Sequence, residues 1–84
     1  MHYIIYGSGD KGTAELIDYL KTMGVSHTFK DIREDADRNR ENIRFLLNRG
    51  HNHVPQCFDD NLRHIGGYED MMRELAMYEA QMTA

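Results

Sequence analysis

The stretch from Asn52 to Glu69 holds the chain's only proline, Pro55, and its only Gly-Gly pair, Gly66-Gly67. These two breakers bound what the residues between them can form. Val54-Pro55 leads into an apolar-containing run, Gln56 to Phe58. Asp59-Asp60-Asn61 is turn chemistry, and Leu62 to Ile65 reads as a second short strand, so the segment predicts a β-hairpin. Gly66-Gly67 ends that strand. Tyr68-Glu69-Asp70 then opens a helix whose apolar residues Met71, Leu75, Tyr78 and Met82 recur at roughly 3.6-residue spacing.

The residues before the hairpin carry a different rhythm. Tyr3 to Tyr6 is a short apolar and aromatic run closed by Gly7, the pattern of a buried central strand. After the loop Gly7-Ser8-Gly9-Asp10-Lys11-Gly12-Thr13, the residues Leu16, Ile17, Leu20 and Met23 form one apolar helix face, which Gly24 stops. Val25 to Asp31 alternates around Val25, His27 and Phe29 and predicts a second strand. A helix between two strands implies a parallel, right-handed crossover. Arg33 to Asp37 reads as a polar connection. Ile43, Leu46 and Leu47 supply the apolar edge of a second helix, Arg38, Arg40, Glu41 and Arg44 its solvated face, and Gly50 its end. The last residues, Glu79 to Ala84, read as a fraying helical tail.

The predicted order is β-α-β-α-β-β-α in one domain spanning 1–84, an α/β fold with a four-stranded mixed sheet and three helices. A chain of this length buries roughly 60–65% of its unfolded surface, which disfavours a large enclosed active site. With 40% hydrophobic and 29% charged residues, its composition is that of a globular domain rather than a disordered chain. A net charge of −4 argues against a general nucleic-acid binder. No apolar run is long enough to cross a bilayer, and the start resembles no secretory leader, so the expected location is cytoplasmic, without a membrane partner.

Gly7 to Gly12 satisfies G-x-G-x-x-G between a predicted strand and helix, and Asp31 ends the next strand where a ribose-binding acid would stand. Nucleotide binding is therefore one reading of the loop. The hairpin that follows the second helix supplies none of the further βαβ units such a site needs. The order Lys11-Gly12-Thr13 is also wrong for a phosphate-binding P-loop. The plainer reading is a helix start in which the glycines permit the turn and Asp10 or Thr13 caps the first N–H groups. Cys57, the lone cysteine, has no partner for an internal disulfide and reads as a small buried hydrophobe, with a reactive thiol as the alternative. His51, His53 and Cys57 are the nearest approach to a metal-ligand cluster. A fourth ligand would have to come from Asp59, His27 or His64, so no metal is expected.

The hairpin's residues carry a resemblance. His53-Val54-Pro55-Gln56-Cys57-Phe58-Asp59 followed by His64-Ile65-Gly66-Gly67-Tyr68-Glu69-Asp70 resembles the second half of the glutaredoxins, T-V-P-x-x-F-[ID] and then H-I-G-G-[YFC]-[DST]-D. The likeness extends more faintly from Tyr3 to about Leu75. It implies the thioredoxin-like, glutaredoxin-type fold, a cis bond at Val54-Pro55, and membership of the glutathione-linked thiol-disulfide redox system. It also implies that the motif C-x-x-C or C-x-x-S falls on Asp10-Lys11-Gly12-Thr13, with one residue deleted in the loop. Asp10 and Thr13 stand where the cysteines would be, so the resemblance implies a redox-inactive member, leaning away from an enzyme. The alternative is a residual oxidoreductase using Cys57. Carried over by matching position, the ligand groove comprises Lys11, as a substitute for the family's basic residue, His53, Val54, Pro55, Gly67, Tyr68, Glu69 and Asp70. Glu69 occupies a position where the family has a short Asp, Ser or Thr capping the third helix, and its carboxylate would repel the γ-glutamyl carboxylate of glutathione. The expected occupant is accordingly a peptide or protein partner, with glutathione possible and no other cofactor.

Overall fold

The computed structural model describes the backbone at 2–33 and 36–83, and side chains at 2–33 and 40–80. Its elements run β1 (His2–Gly7), α1 (Lys11–Met23), β2 (Ser26–Asp31), α2 (Ala36–Asn48), β3 (Gln56–Asp59), β4 (His64–Gly66) and α3 (Tyr68–Thr83). The four strands form one sheet in the order β2-β1-β3-β4. β1 pairs parallel with β2, from His2 with Ser26 to Gly7 with Asp31, and antiparallel with β3, from Tyr3 with Asp59 to Tyr6 with Gln56. Among the described residues no helix is long and apolar enough to cross a membrane.

Alternation along β1 sends its side chains to two cores. Tyr3 and Ile5 join Leu16, Leu20, Val25, Cys57, Met71 and Leu75 beneath α1 and α3. Tyr6 joins Phe58 and Leu46 beneath α2. Truncating a fully buried residue such as Leu20 or Leu75 to alanine costs about 2–5 kcal/mol, so the first core is the larger source of stability. The second core is small and aromatic. Phe45 stacks on Tyr6 at 5.0 Å and meets Phe58 edge-on at 5.4 Å, while the Arg49 guanidinium lies 4.6 Å from the Phe45 ring.

Helix stops follow the glycines. Gly24 caps α1 with φ 70° and donates its N–H to Leu20 O and Lys21 O, and Gly50, at φ 82°, donates to Leu47 O at 3.0 Å. Both conformations are left-handed, which favours glycine.

Several boundaries differ from the sequence reading. The hairpin's second strand is His64–Gly66, not Leu62 to Ile65, and Asp59 belongs to β3 instead of the turn. The reason is the Asp59 side chain. It accepts from Asn61 N at 2.9 Å, Arg63 N at 2.9 Å and Arg63 Nε at 2.9 Å, and so organises a longer loop in which Leu62 takes φ 63°. On α2, Leu46 is buried as expected, whereas Ile43 and Leu47 are 41% and 57% exposed because Phe45 fills the space over Tyr6. Ala36 and Asp37 belong to α2 rather than to a connection, residues 34–35 lie outside the described residues, and the Arg38 side chain lies outside the described ones. At the other end, α3 continues through Thr83.

Candidate functional site

The β1–α1 junction is built on Asp10. With φ −67° and ψ 158° it is the N-cap of α1, and its carboxylate accepts from Thr13 N at 3.1 Å, Thr13 Oγ1 at 2.6 Å and Ser8 Oγ at 2.8 Å. Burial alone would raise the carboxyl pKa. The hydrogen bonds from Thr13 and Ser8 outweigh it and hold the group below the ordinary carboxylate value. Thr13 is 1% exposed and faces Gly7, where an added Cβ would collide with the threonine side chain. A Cβ at Gly9 would collide with the Arg33 guanidinium. The two glycines thus accommodate the chain's own side chains in the space where a dinucleotide's phosphates would approach. Arg33 is a residue that the sequence reading passed over. Its Nε and NH2 donate to Asp31 at 3.2 Å and 3.1 Å, which also spends the Asp31 carboxylate on a neighbour.

Gly12 brings the helix start against the hairpin. A Cβ there would lie 3.3 Å from Asp10 Oδ2 and 3.9 Å from both Pro55 Cδ and Tyr68 Cδ2, so α1, the Val54-Pro55 loop and the α3 start meet at one point. The Val54-Pro55 bond is cis. Among the described residues the backbone of Val54 makes no hydrogen bond to another part of the chain, while Gly67 lies against Pro55 O. Tyr68 leans over α1 and donates its hydroxyl to Glu15 at 3.1 Å.

The remaining candidate residues divide. Pro55, Gly67 and Tyr68 come together at the α1 start beside Asp10 and Gly12, whereas the Val54 side chain packs on the other face of the sheet with Tyr6, Leu46 and Phe58. Lys11 extends into solvent, its side chain 89% exposed and its ammonium 3.9 Å from Glu15. His53 is exposed and pairs with Asn52 at 3.1 Å on the α2 side of the loop. Gly67 O accepts from Met71 N at 2.9 Å, so Glu69 sits in the first turn of α3 rather than at its cap, and it is exposed. Asp70 packs over Gly66 and pairs with Arg73 at 3.3 Å. The acids of this turn complement the helix dipole.

Cys57 is fully buried in the core beneath α1 and α3, and burial, followed by the charge of Asp70, pushes its thiol up to about 12. Because His51 packs with Phe58 on the opposite face of the sheet, the cluster of His51, His53 and Cys57 is not assembled. His51 instead stacks on His64 with ring centroids 4.2 Å apart, and His64 Nε2 meets Gln56 Oε1 at 2.8 Å. Among the described residues no group of His, Cys, Asp and Glu is arranged to hold a metal ion.

No protein-family model and no curated protein matches the chain. Solved structures do. The thioredoxin-like protein BC3987 is 19% identical with a TM-score of 0.63, and a point mutant of it is 20% identical with a TM-score of 0.62. Each match covers 87% of this chain and 97% of the other. At that identity the likeness concerns the fold, and the chain has a thioredoxin-like fold.

Proposed function

We propose that this chain is a redox-inactive, glutaredoxin-like binding module. It holds an extended segment of a protein partner in the groove between the Asp10 loop, Val54-Pro55 and Gly67-Tyr68. The observation that carries the reading is the capped carboxylate of Asp10, which occupies the N-terminus of α1 beside Gly12, Pro55 and Tyr68. A helix N-terminus lowers a thiol's pKa and makes it reactive. Here the same N–H group and dipole stabilise an anion that is a poor nucleophile toward disulfides. Cys57, buried and with its pKa raised, is a poor substitute. The unpaired backbone of Val54 offers the hydrogen bonds that an added strand requires. Glutathione is the competing ligand for the groove, and the carboxylates of Asp10 and Glu69 weigh against it.

Two measurements test this reading. With glutathione and hydroxyethyl disulfide, turnover is expected at the uncatalysed background. Turnover that disappears in Cys57→Ser would assign the chemistry to the lone thiol and overturn the proposal. Titration of the labelled chain with glutathione is expected to leave the amide signals of Val54, Tyr68 and Asp70 in place, and saturable shifts there would replace the peptide with glutathione.

A further inference from the structure

On the far side of Val54 from the α1 start, a second concavity lies between α2 and the loop leading to Pro55. It has a volume of about 250 Å³, and Ile32, Ile43, Leu46, Leu47 and Val54 give it an almost wholly apolar lining, with His51 and His53 at its rim. That is smaller than the roughly 300–1,000 Å³ of sites that enclose a small-molecule ligand, and it matches a single large side chain presented by another backbone. Among the described residues, Ile43 and Leu47 are two of five large apolar residues left exposed.

Charge specifies what that side chain is carried on. Residues 40–54 contain Arg40, Arg44 and Arg49 against one acid, Glu41, in a chain whose net charge is −4. Arg49 is committed to the Phe45 ring. Arg40 and Arg44 are exposed, and helical spacing sets them beside Ile43 and Leu47; Glu41 is turned about 100° from Arg40 and stands one turn before Arg44 without pairing with it. Among the described residues neither has a carboxylate partner, although Arg33, Arg63 and Arg73 all do. Across Pro55 the sign reverses, with Asp10, Glu69 and Asp70 around the α1 and α3 starts.

We propose that the α2 groove takes an apolar side chain from an acidic, extended segment of a partner protein, with its acidic residues lying toward Arg40 and Arg44. The inference rests on the peptide-binding reading above and supplies its specificity. The segment crosses Val54, one large apolar side chain enters between Ile43 and Leu47, and flanking carboxylates meet the two arginines. A basic segment would meet like charge along α2.

The test uses the full chain, isotopically labelled, and two short synthetic peptides that share an apolar centre and differ in flanks of Glu/Asp or Lys. The acidic peptide is expected to shift the amides of Ile43, Leu47 and Val54. It should bind about tenfold more tightly than the lysine peptide at low salt, with the difference shrinking as salt screens the charges. Combined Arg40→Glu and Arg44→Glu substitutions should reverse the preference, and Leu47→Ser should weaken both peptides. All three positions are exposed, and unchanged amide signals across β1 and β3 verify the fold. Equal binding of the two peptides, or shifts that omit Ile43 and Leu47, would overturn the inference. If both peptides shift Val54 and Tyr68 alike while α2 stays silent, only the specificity fails. If neither moves Val54, the binding-module reading fails with it.

Discussion

Replacing Asp10 by alanine removes one acceptor from three donors at once, and the structure gives the cost of each loss. The cap to Thr13 N is worth about 1 kcal/mol, within the ~0.5–2 kcal/mol typical of N-caps. Thr13 is 1% exposed, so its hydroxyl loses its acceptor in a place where water enters poorly, and leaving such a group unsatisfied adds about 1–3 kcal/mol. Ser8 is half-buried and water replaces its partner at little cost. The two larger contributions share one carboxylate and are not independent, so Asp10→Ala is expected to lose about 2–3 kcal/mol. A domain of this size has only ~5–15 kcal/mol in total. At ~4–8 °C per kcal/mol, the melting temperature should fall by roughly 10–20 °C.

The control is Asp10→Asn, which keeps an acceptor oxygen at the cap and loses the charge. Because the folded pKa of Asp10 lies below its unfolded value, its charge-dependent stability is complete above about pH 4 and is lost as pH falls through the folded pKa. The substituted amide does not titrate. The stability gap between the native chain and Asp10→Asn should therefore be widest near neutral pH and narrow on acidification, as measured by urea denaturation at a series of pH values. A loss below about 0.5 kcal/mol in Asp10→Ala, or a gap with Asp10→Asn that is independent of pH, would refute the account of Asp10 as a charged cap.

Two further outcomes follow from the same geometry. Asp10→Cys places a thiol at the N-terminus of α1 beside Pro55, and its pKa, read from alkylation rate against pH, should fall below the ordinary value near 8.5; a normal value would mean that the α1 start is not the reactive position. His64 is the second titrating element. Gln56 Nε2 donates to His53 O at 3.1 Å, which turns Gln56 Oε1 toward His64 Nε2 and leaves Nδ1 to take up a proton. Burial of one side of the ring and then the charge of His51 lower its pKa, with Asp70 opposing. A depressed folded pKa means that stability is complete above about pH 6.5 and declines as pH falls through the folded value, an effect limited by the ring's exposure. His64→Asn should flatten the decline in melting temperature below neutral pH, and an unchanged decline would assign it elsewhere.

How much of this was legible in the sequence depends on whether a local residue or a distant one decided the outcome. Gly24 and Gly50 end their helices through their own backbone conformation, and the α1 stripe of Leu16 and Leu20 needs only its spacing, so these features were readable. The order of elements followed from such local signals. The hairpin's second strand was misplaced because its register is set by the Asp59 carboxylate reaching three donors, a tertiary choice that the turn-like run Asp59-Asp60-Asn61 conceals. Leu47 was expected in the helix's apolar edge but is exposed, because Phe45 and Phe58 had already filled the space over Tyr6. Arg33 over Gly9 had no sequence signal, since nothing in a polar connection indicates which loop its side chain will cross.

The carboxylate at the helix start does more than stand where a reactive group could sit. For a cysteine to act there, the first N–H groups of α1 must stay available to a thiolate, so the most favourable anion site in the domain is occupied only by the reactive group. Asp10 draws Thr13 N, the Thr13 hydroxyl and Ser8 to itself. These hydrogen bonds stabilise the helix start. What the capping does not consume is the rest of the junction. Among the described residues the Val54 backbone makes no hydrogen bond, Tyr68 and Pro55 lie beside Gly12, and Ile43 and Leu47 line the neighbouring concavity. On the proposed reading, the groove would recognise a polypeptide segment through shape and backbone rather than turn over a disulfide.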